Sequence, residues 1–207
     1  VTLWDLASVY ASMARALNHQ TLNKGKLNNS DFHAPNYLQN KNVKSSTTQN
    51  VRLDASSIYF TFQAMKEVMR PGEEGLWQQF LSSQTIAWKT GTSFGFRDGW
   101  AVGVTPKYVV AVWCGNADGE GRPDLIGIKT AAPVMFDIFR LLPHGGWFQK
   151  PVYNFSFVPV CRQSGFKANL DCSDVDTLFV SENGSKSPLC PYHRMVNLDA
   201  SGLYRVT

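Results

Sequence analysis

Residues 85–116 read TIAWKTGTSFGFRDGWAVGVTPKYVVAVWCGN, and this stretch decides the fold. Its β-branched, aromatic and other apolar residues fall into three short runs, at 85–89, 99–104 and 108–114. Such runs predict β-strands when turn residues separate them. Because only a short turn around Pro106-Lys107 separates the second and third runs, we expect these two strands to form a tight antiparallel hairpin.

Helical periodicity flanks the strands on both sides. Apolar residues recur at three- and four-residue spacing, which predicts amphipathic helices at 2–18, 55–69 and 129–142. Thr2 and Asp54 stand where N-caps are expected, and Pro133 suits the third helix only in its first turn. This order of elements predicts an α/β fold of the α+β kind, an antiparallel sheet with flanking helices.

The composition and the hydrophobic pattern of the sequence change after residue 143. We predict a domain at 1–143, a linker at 144–150 and a small β-rich module at 151–207. The module has β-type runs at 152–159, 177–180 and 203–206. A module this short buries little core. We therefore expect a covalent or metal staple in it, that is, a disulfide or a bound metal ion that stabilises the fold. Within the domain, we expect an irregular or hairpin-rich excursion at 19–50 and a short amphipathic piece at 76–81.

Composition excludes several classes of protein. Of 207 residues, 43% are hydrophobic and 17% charged, which excludes a disordered tail or a coiled coil. No apolar run approaches the roughly 20 residues of a membrane span. A net charge of +4 without a basic cluster makes nucleic acid an unsuitable partner. Since Val1 leads directly into a helical pattern without an initiator Met or signal peptide, we expect a piece of a longer polypeptide.

Lys89-Thr-Gly91 is the motif that carries chemistry. It offers an ammonium group, a hydroxyl, and at Gly91 a backbone that no side chain shields from an incoming extended peptide. Thr92 adds a second hydroxyl. These groups suit the binding of a peptide carboxylate beside an acyl centre. The tripeptide alone arises by chance in roughly one chain in ten of this length, and its ordinary interpretation is a strand end with a turn glycine.

Three stretches together resemble class A penicillin-binding proteins. They are KTGTS at 89–93, RDGWAVGVTP at 97–106 and VWCGN at 112–116, and the resemblance covers residues 1 to about 143. Lys-Thr-Gly is the third motif of the penicillin-binding and β-lactamase set. Cys190-Pro-Tyr-His193 resembles the region that follows the transpeptidase domain in these proteins. The resemblance implies a peptidoglycan D,D-transpeptidase outside the cytoplasm, with an upstream membrane anchor and glycosyltransferase domain.

The resemblance also implies a role for each motif residue. Lys89 would set the electrostatics and proton traffic around a serine nucleophile. Thr90 and Thr92 would bind the terminal carboxylate of a D-Ala-D-Ala stem peptide or of a β-lactam. The Thr92 N–H would form half of the oxyanion hole, and Gly91 would let the acyl donor lie antiparallel to the strand. This acyl transfer needs no metal or organic cofactor.

The sequence departs from the family at the nucleophile. The family has a Ser-x-x-Lys and then a Ser-x-Asn upstream of Lys-Thr-Gly, and this sequence has neither there. Its only examples are Ser164-Gly-Phe-Lys167 and Ser181-Glu-Asn183, downstream in the β-rich module, and we interpret both as coincidences. We therefore expect this chain to hold only the substrate-binding wall and to be inactive alone.

Cys161, Cys172, Cys190 and His193 form a second group of candidate residues. A disulfide such as Cys161 to Cys172 is the preferred interpretation, because it is the ordinary staple outside the cytoplasm. A zinc site of all four residues is the second, since Cys190 and His193 have the spacing of a zinc knuckle. Free thiols are the third. Cys114 is expected to be a buried small apolar residue.

A rival function is a non-catalytic fragment that binds cell wall or a protein partner. Its contact surface would be exposed aromatic residues, namely Trp147, Phe148, Tyr153 and Phe155. The simpler interpretation is that these residues seal the junction between domain and module. We assign no chemistry to His19, His33 and His144, which have no nearby carboxylate or cysteine pattern in the sequence.

Overall fold

The computed structural model describes residues 1–22, 24, 26–36, 53–68, 84–153 and 155–206. They form two compact units, Val1–Pro151 and Val152–Thr207. Half of the excursion predicted at 19–50, residue 69 of the predicted second helix and the piece predicted at 76–81 lie outside these residues. Within the described residues, every helix is too short or too polar to cross a membrane.

The first unit is mixed α/β, as predicted. Its elements in chain order are α1 (Leu3–His19), a one-turn 3-10 helix (Asn29–Asp31), α2 (Ala55–Lys66), β1 (Ala87–Thr92), β2 (Asp98–Val104), β3 (Val109–Gly115) and α3 (Gly127–Leu141). The strands form an antiparallel sheet in the order β1-β2-β3. The β2–β3 turn is closed by the Thr105 N–H, which donates to the Tyr108 carbonyl at 2.9 Å. The predicted hairpin is confirmed.

The second unit is built of short strands. They are β4 (Phe155–Cys161), β5 (Val175–Ser181), β6 (Asn197–Leu198) and β7 (Arg205–Val206), with a one-turn 3-10 helix at Gly184–Lys186. β4 pairs antiparallel with β5, and β6 with β7. Each pair is an isolated ribbon, which is marginally stable by itself.

The sheet lies between two layers of helices. Because side chains alternate along a strand, Ala87, Val102 and Val104 face one way and pack against α1 and α2. Trp88 and Val110 face the other way and pack against α3. Burial of both faces fixes the register of all three strands.

β1 differs from its predicted bounds in a way that matters for the motif. The apolar run suggests a strand that ends at residue 89, whereas β1 continues to Thr92. The extension comes from pairing, because Gly91 lies opposite Trp100 and Thr92 opposite Gly99 on β2. Lys89-Thr-Gly91 therefore lies in the paired final half of β1, and Gly91 is not a turn glycine.

α3 corrects the expectation about Pro133. The helix begins at Gly127, so Pro133 is its seventh residue and lies inside the helix, not in the first turn. Proline there cannot donate to the carbonyl four residues before it. The neighbouring Ala132 and Met135 are fully buried against the sheet, and this packing holds the helix through the missing bond.

Residues 144–150, predicted as a linker, pack on the first unit. Phe148 is buried, with its ring 5.3 Å from that of Phe62 on α2. Trp147 packs edge-on against Phe148 at 5.2 Å. Two of the four aromatic residues that the rival function needs at a contact surface thus pack on this core.

His19 has a carboxylate partner that the sequence analysis missed. Its Nδ1 lies 2.7 Å from Oδ1 of the buried Asp31, and the Arg15 guanidinium donates to the Asp31 carbonyl at 2.9 Å. The pair joins the last turn of α1 to the 3-10 helix that follows. We assign it a structural role.

Asp54 is the N-cap of α2, as predicted, and its removal is expected to cost stability. Its carboxylate accepts the Ser57 N–H at 2.6 Å and the Ser56 hydroxyl. Asp54→Ala should lower the free energy of unfolding by about 1 kcal/mol, measured by urea titration. Asp54→Asn, which can still cap, is the matched control and should cost much less.

The Asp54 cap should also weaken in acid. Burial raises the pKa of Asp54, but the hydrogen bonds from Ser56 and Ser57 outweigh it and hold the pKa below the usual value. A lowered folded pKa gives stability that is present at neutral pH and is lost as the pH falls through that pKa. The free energy of unfolding of Asp54→Asn should lack this component of the pH dependence. If the variant lost stability in acid as wild type does, the assigned role of the Asp54 carboxylate would be wrong.

Candidate active site and metal centre

In the part of the chain that the structure describes, the motif strand has an open side. β1 is an end strand of the sheet and pairs only with β2 among the residues that the structure describes. An end strand presents unpaired N–H and C=O groups that an extended peptide can join. A peptide substrate could therefore add to β1 as a further strand.

The direction of the backbone groups follows from the ladder. The Ser93 N–H donates to the Asp98 carbonyl of β2 at 3.0 Å, and in antiparallel strands the hydrogen-bonded positions alternate. The backbone groups of Lys89 and Gly91 accordingly face β2. Those of Thr90 and Thr92 face the open edge, where the Thr92 N–H can donate to a bound ligand.

Lys89 lies on the same face of the sheet as Gly91 and Trp100. Its side chain is exposed, and its Nζ donates to the Thr90 carbonyl at the open edge. A Cβ on Gly91 would lie 3.7 Å from the Cβ of Trp100, which is ordinary contact. The missing side chain of Gly91 thus leaves space over Trp100, but close packing does not require a glycine at this position.

Thr92 lies on the opposite face, towards α3. Its Oγ1 accepts the N–H of Gly127, the first residue of α3, at 3.0 Å. The hydroxyl proton stays available for donation, since a hydroxyl both donates and accepts. The N-terminus of α3 carries partial positive charge, so this end of β1 suits a carboxylate.

Trp113 and Asp98 lie beside the motif and were given no role by the sequence analysis. The Trp113 ring lies 6.4 Å from that of Trp100, its cross-strand partner. Its Nε1 donates to the Asp98 carboxylate at 2.8 Å, and this bond lowers the pKa of Asp98. Tryptophans at matched positions of a predicted hairpin were the signal that could have found this pair.

The two look-alike serine motifs lack the helix that the chemistry needs. The Ser164 hydroxyl donates to the Cys190 sulfur at 3.2 Å, and Lys167 makes β-bridges to Val160 and Leu189. Ser181 ends β5, and its hydroxyl accepts the Gly184 N–H at 3.1 Å. Ser164 and Lys167 are thus not one turn apart on a helix, and Ser181 lies at the end of a strand.

In the second unit, Cys161, Cys172, Cys190 and His193 converge. Their ligand atoms all lie within 4.8 Å of one another. The Nδ1 atom of His193 lies 3.4 Å from the Cys161 sulfur, 3.6 Å from the Cys172 sulfur and 3.4 Å from the Cys190 sulfur. All three thiols are free. This set can hold one metal ion.

Polar groups surround the cluster. His193 Nε2 lies 2.9 Å from the Gln163 side-chain oxygen, which favours the neutral tautomer with its proton on Nε2. The Asn169 N–H approaches the Cys172 sulfur at 3.4 Å. The Asn169 amide also donates to the carbonyls of Cys190 and His193, at 2.7 Å and 2.9 Å, and so ties the loop that carries Cys172 to the segment that carries Cys190 and His193.

The thiolate form is favoured at two of the three cysteines, since a hydrogen bond with Ser164 also lowers the pKa of Cys161. The hydrogen bond from the Ser164 hydroxyl is the main cause that lowers the pKa of Cys190 to about 6. The hydrogen bond with Cys190 raises the pKa of His193, whereas burial raises the pKa of Cys172. Cys161 and Cys190 are therefore the cluster thiols that lose their protons most readily.

Cys114 lies apart from this cluster, on β3 of the first unit. It is half-buried and packs against the core on the α3 side of the sheet. The expectation of a small apolar core residue describes its packing, although it is not fully buried. It provides a thiol control outside the cluster.

No protein-family profile matches the chain. Among curated proteins it is similar to penicillin-binding protein 1C of Escherichia coli K12, with 42% identity over 57 residues, 28% of this chain and 7% of that protein. It is also similar to penicillin-binding protein 1B of Buchnera aphidicola, with 34% identity over 103 residues, 49% of this chain and 14% of that protein.

Penicillin-binding protein 1A of Neisseria cinerea is 33% identical over 96 residues, 45% of this chain and 12% of that protein. These matches confirm the resemblance to class A penicillin-binding proteins, the 1C type included. The chain spans no more than about a seventh of the length of these relatives in the matched parts.

Proposed function

We propose that this chain is the C-terminal part of a peptidoglycan synthase, a penicillin-binding D,D-transpeptidase that cross-links stem peptides. Residues 1–143 complete its transpeptidase fold and residues 151–207 form an appended module. The observation that carries the proposal is the placement of Lys89-Thr-Gly-Thr92 on an end strand whose Thr90 and Thr92 backbone groups face outwards. The similarity to penicillin-binding proteins 1A, 1B and 1C supports the same function.

The motif residues divide the work of acyl transfer. The stem peptide lies antiparallel along the open edge of β1, over Gly91. Its terminal carboxylate binds the Thr90 and Thr92 hydroxyls near the N-terminus of α3. The Thr92 N–H then stabilises the oxyanion that forms when a serine attacks the penultimate D-Ala carbonyl.

Lys89 acts in the proton transfers of the reaction. Its exposed ammonium lies on the face of β1 that carries Gly91. In the proposed cycle the stem peptide acylates the serine and D-Ala leaves. An amine on a neighbouring peptidoglycan strand then takes the acyl group. These steps use acid and base groups of the protein and need no cofactor.

The nucleophile comes from an upstream part of the parent polypeptide. That parent carries the Ser-x-x-Lys and Ser-x-Asn motifs, a glycosyltransferase domain and a membrane anchor, and it works in the periplasm or its equivalent. The similarity to penicillin-binding proteins, which this chain matches over a small part of their length, supports this arrangement. β-Lactams bind the same site as the stem peptide.

The 207-residue chain alone should form no covalent adduct with a β-lactam, because its sequence lacks an upstream Ser-x-x-Lys. Intact-mass measurement after incubation with a reporter penicillin tests this, with the parent polypeptide treated in parallel. The parent should gain one adduct. An unlabelled parent would overturn the proposed function.

Ser164→Ala is the control for the look-alike motif in the isolated chain. Both the wild-type chain and the variant should keep their unmodified mass. An adduct that maps to Ser164 and disappears in Ser164→Ala would show that the module itself is acylated, contrary to our interpretation of Ser164-Gly-Phe-Lys167 as a coincidence.

A further inference from the structure

The second unit has almost no apolar core. Among its described residues, the buried hydrophobic ones are Val158, Cys161 and Cys190. Large apolar side chains such as Phe157, Leu170 and Tyr192 are more than 70% exposed. Two of the three buried residues thus belong to the Cys/His cluster, and the cluster occupies the place of a core.

The sulfur-to-nitrogen distances within the cluster match those of a tetrahedral metal site. Zinc binds sulfur at about 2.3 Å and imidazole nitrogen at about 2.0 Å. A tetrahedron with these bonds has sulfur-to-nitrogen edges of about 3.5 Å. The three edges from His193 Nδ1 are 3.4, 3.6 and 3.4 Å.

Hydrogen bonding alone does not account for this arrangement. Neutral imidazole has one acceptor nitrogen with one lone pair, yet three sulfurs surround Nδ1 at nearly equal distances. If Nε2 carries the proton and donates to Gln163, the Nδ1 lone pair can accept from one thiol at most. A cation at the centre gives all four groups the same partner.

We propose that Cys161, Cys172, Cys190 and His193 bind one Zn²⁺ ion. The four protein ligands close the coordination sphere, which makes the site structural and not catalytic. Three thiolates and one imidazole in tetrahedral geometry favour zinc over harder cations. Binding displaces the remaining thiol protons into solvent, changes no oxidation state, and leaves the centre with one net negative charge.

The surrounding groups are suited to a metal-bound thiolate. The Ser164 hydroxyl and the Asn169 N–H both donate to cluster sulfurs, and such donors stabilise negative sulfur. Gln163 orients the His193 ring from its far side, as the second partner of a metal-bound histidine does. A disulfide between two of the cysteines would leave the third thiol and His193 without a common partner.

The site would fasten the two loops of the module. One ligand ends β4, one follows it in the loop to β5, and two lie on the segment after β5. Hydrogen bonds of the Asn169 side chain and the β-bridges of Lys167 also join these segments. This inference does not depend on the proposed transpeptidase function, and its test uses no activity.

The test is the metal content of the 207-residue chain, purified in reductant with Zn²⁺ and then freed of excess metal. Native mass spectrometry should find one zinc ion per chain and the mass of fully reduced cysteines. Cys114→Ala, the matched thiol control, should keep the zinc. Cys172→Ala should lose it, and Gln163→Ala should bind it about 10 to 100 times more weakly.

A second measurement on the wild-type chain covers the case in which Cys172→Ala does not fold. Zinc should shield Cys161, Cys172 and Cys190 from alkylation, and a chelator should expose all three and speed proteolysis between residues 160 and 195. A disulfide chain would instead weigh two hydrogen atoms less and respond to reductant only. Each of three results would overturn the proposal. They are a disulfide, three reactive thiols in a chain without zinc, and a stoichiometric metal other than zinc.

Discussion

Lys89→Ala in the parent polypeptide is expected to slow acylation by a β-lactam by about 10² to 10⁴-fold, the range for loss of an acid or base group. The effect should fall on the chemistry and not on folding, because the Lys89 side chain is exposed on β1. Stopped-flow acylation with a reporter penicillin measures the rate. Urea unfolding of the same variant should match wild type.

Lys107→Ala is the matched control for Lys89→Ala. Lys107 is also an exposed lysine of this sheet, but it lies in the turn between β2 and β3. Its removal should leave acylation unchanged. Wild-type acylation in the Lys89 variant would show that Lys89-Thr-Gly91 is not the third active-site motif.

Thr92 variants separate the hydroxyl from the backbone of the same residue. Thr92→Ala should lower acylation about tenfold, because one hydrogen bond to the donor carboxylate is lost while the Thr92 N–H remains. It should also cost some stability, since the Gly127 N–H loses its acceptor. Thr92→Ser keeps a hydroxyl and should restore both properties, and equal defects in the two variants would contradict this assignment.

Gly127→Ala is expected to destabilise the first unit by about 2 to 3 kcal/mol, although alanine is the better helix former. A Cβ at this position would point at backbone, lying 2.5 Å from the Trp100 carbonyl oxygen and closer still to that of Gly91. Backbone atoms of a paired strand cannot rotate away. The start of α3 must therefore move from the sheet.

This movement should also reach the motif. The Gly127 N–H would leave the Thr92 hydroxyl, so acylation of the parent should fall together with the free energy of unfolding. Gly146→Ala is the control, because a Cβ there meets no atom within 4 Å. If Gly127→Ala were as stable as Gly146→Ala, the close approach of α3 to β1 would be wrong.

Local pattern was sufficient for the helices and the hairpin. The three- and four-residue spacing predicted α1, α2 and α3, because each helix buries one stripe of its surface. The short apolar runs predicted the strands, because helices cover both faces of the sheet. The caps Thr2 and Asp54 were readable for the same local reason. The Lys89-Thr-Gly91 motif and its family resemblance also came from consecutive residues.

Contacts between distant residues were not predictable in this way. The extension of β1 to Thr92 depends on pairing with β2, and the bond between Thr92 and Gly127 joins residues 35 positions apart. The His19–Asp31 pair and the packing of Phe148 on Phe62 likewise leave no local pattern in the sequence. The local spacing of apolar residues does not indicate which loop lies beside which strand.

By itself the sequence determined the identity of the Cys/His candidates and the need for a staple in the short module, but not how the candidates meet. Spacing alone left a disulfide, a zinc site and free thiols open, because each is compatible with the same intervals along the chain. Only the tertiary structure brought three sulfurs to nearly equal distances from one imidazole nitrogen. That geometry arises where separate loops pack together, and coordination chemistry depends on distances in space and not along the chain.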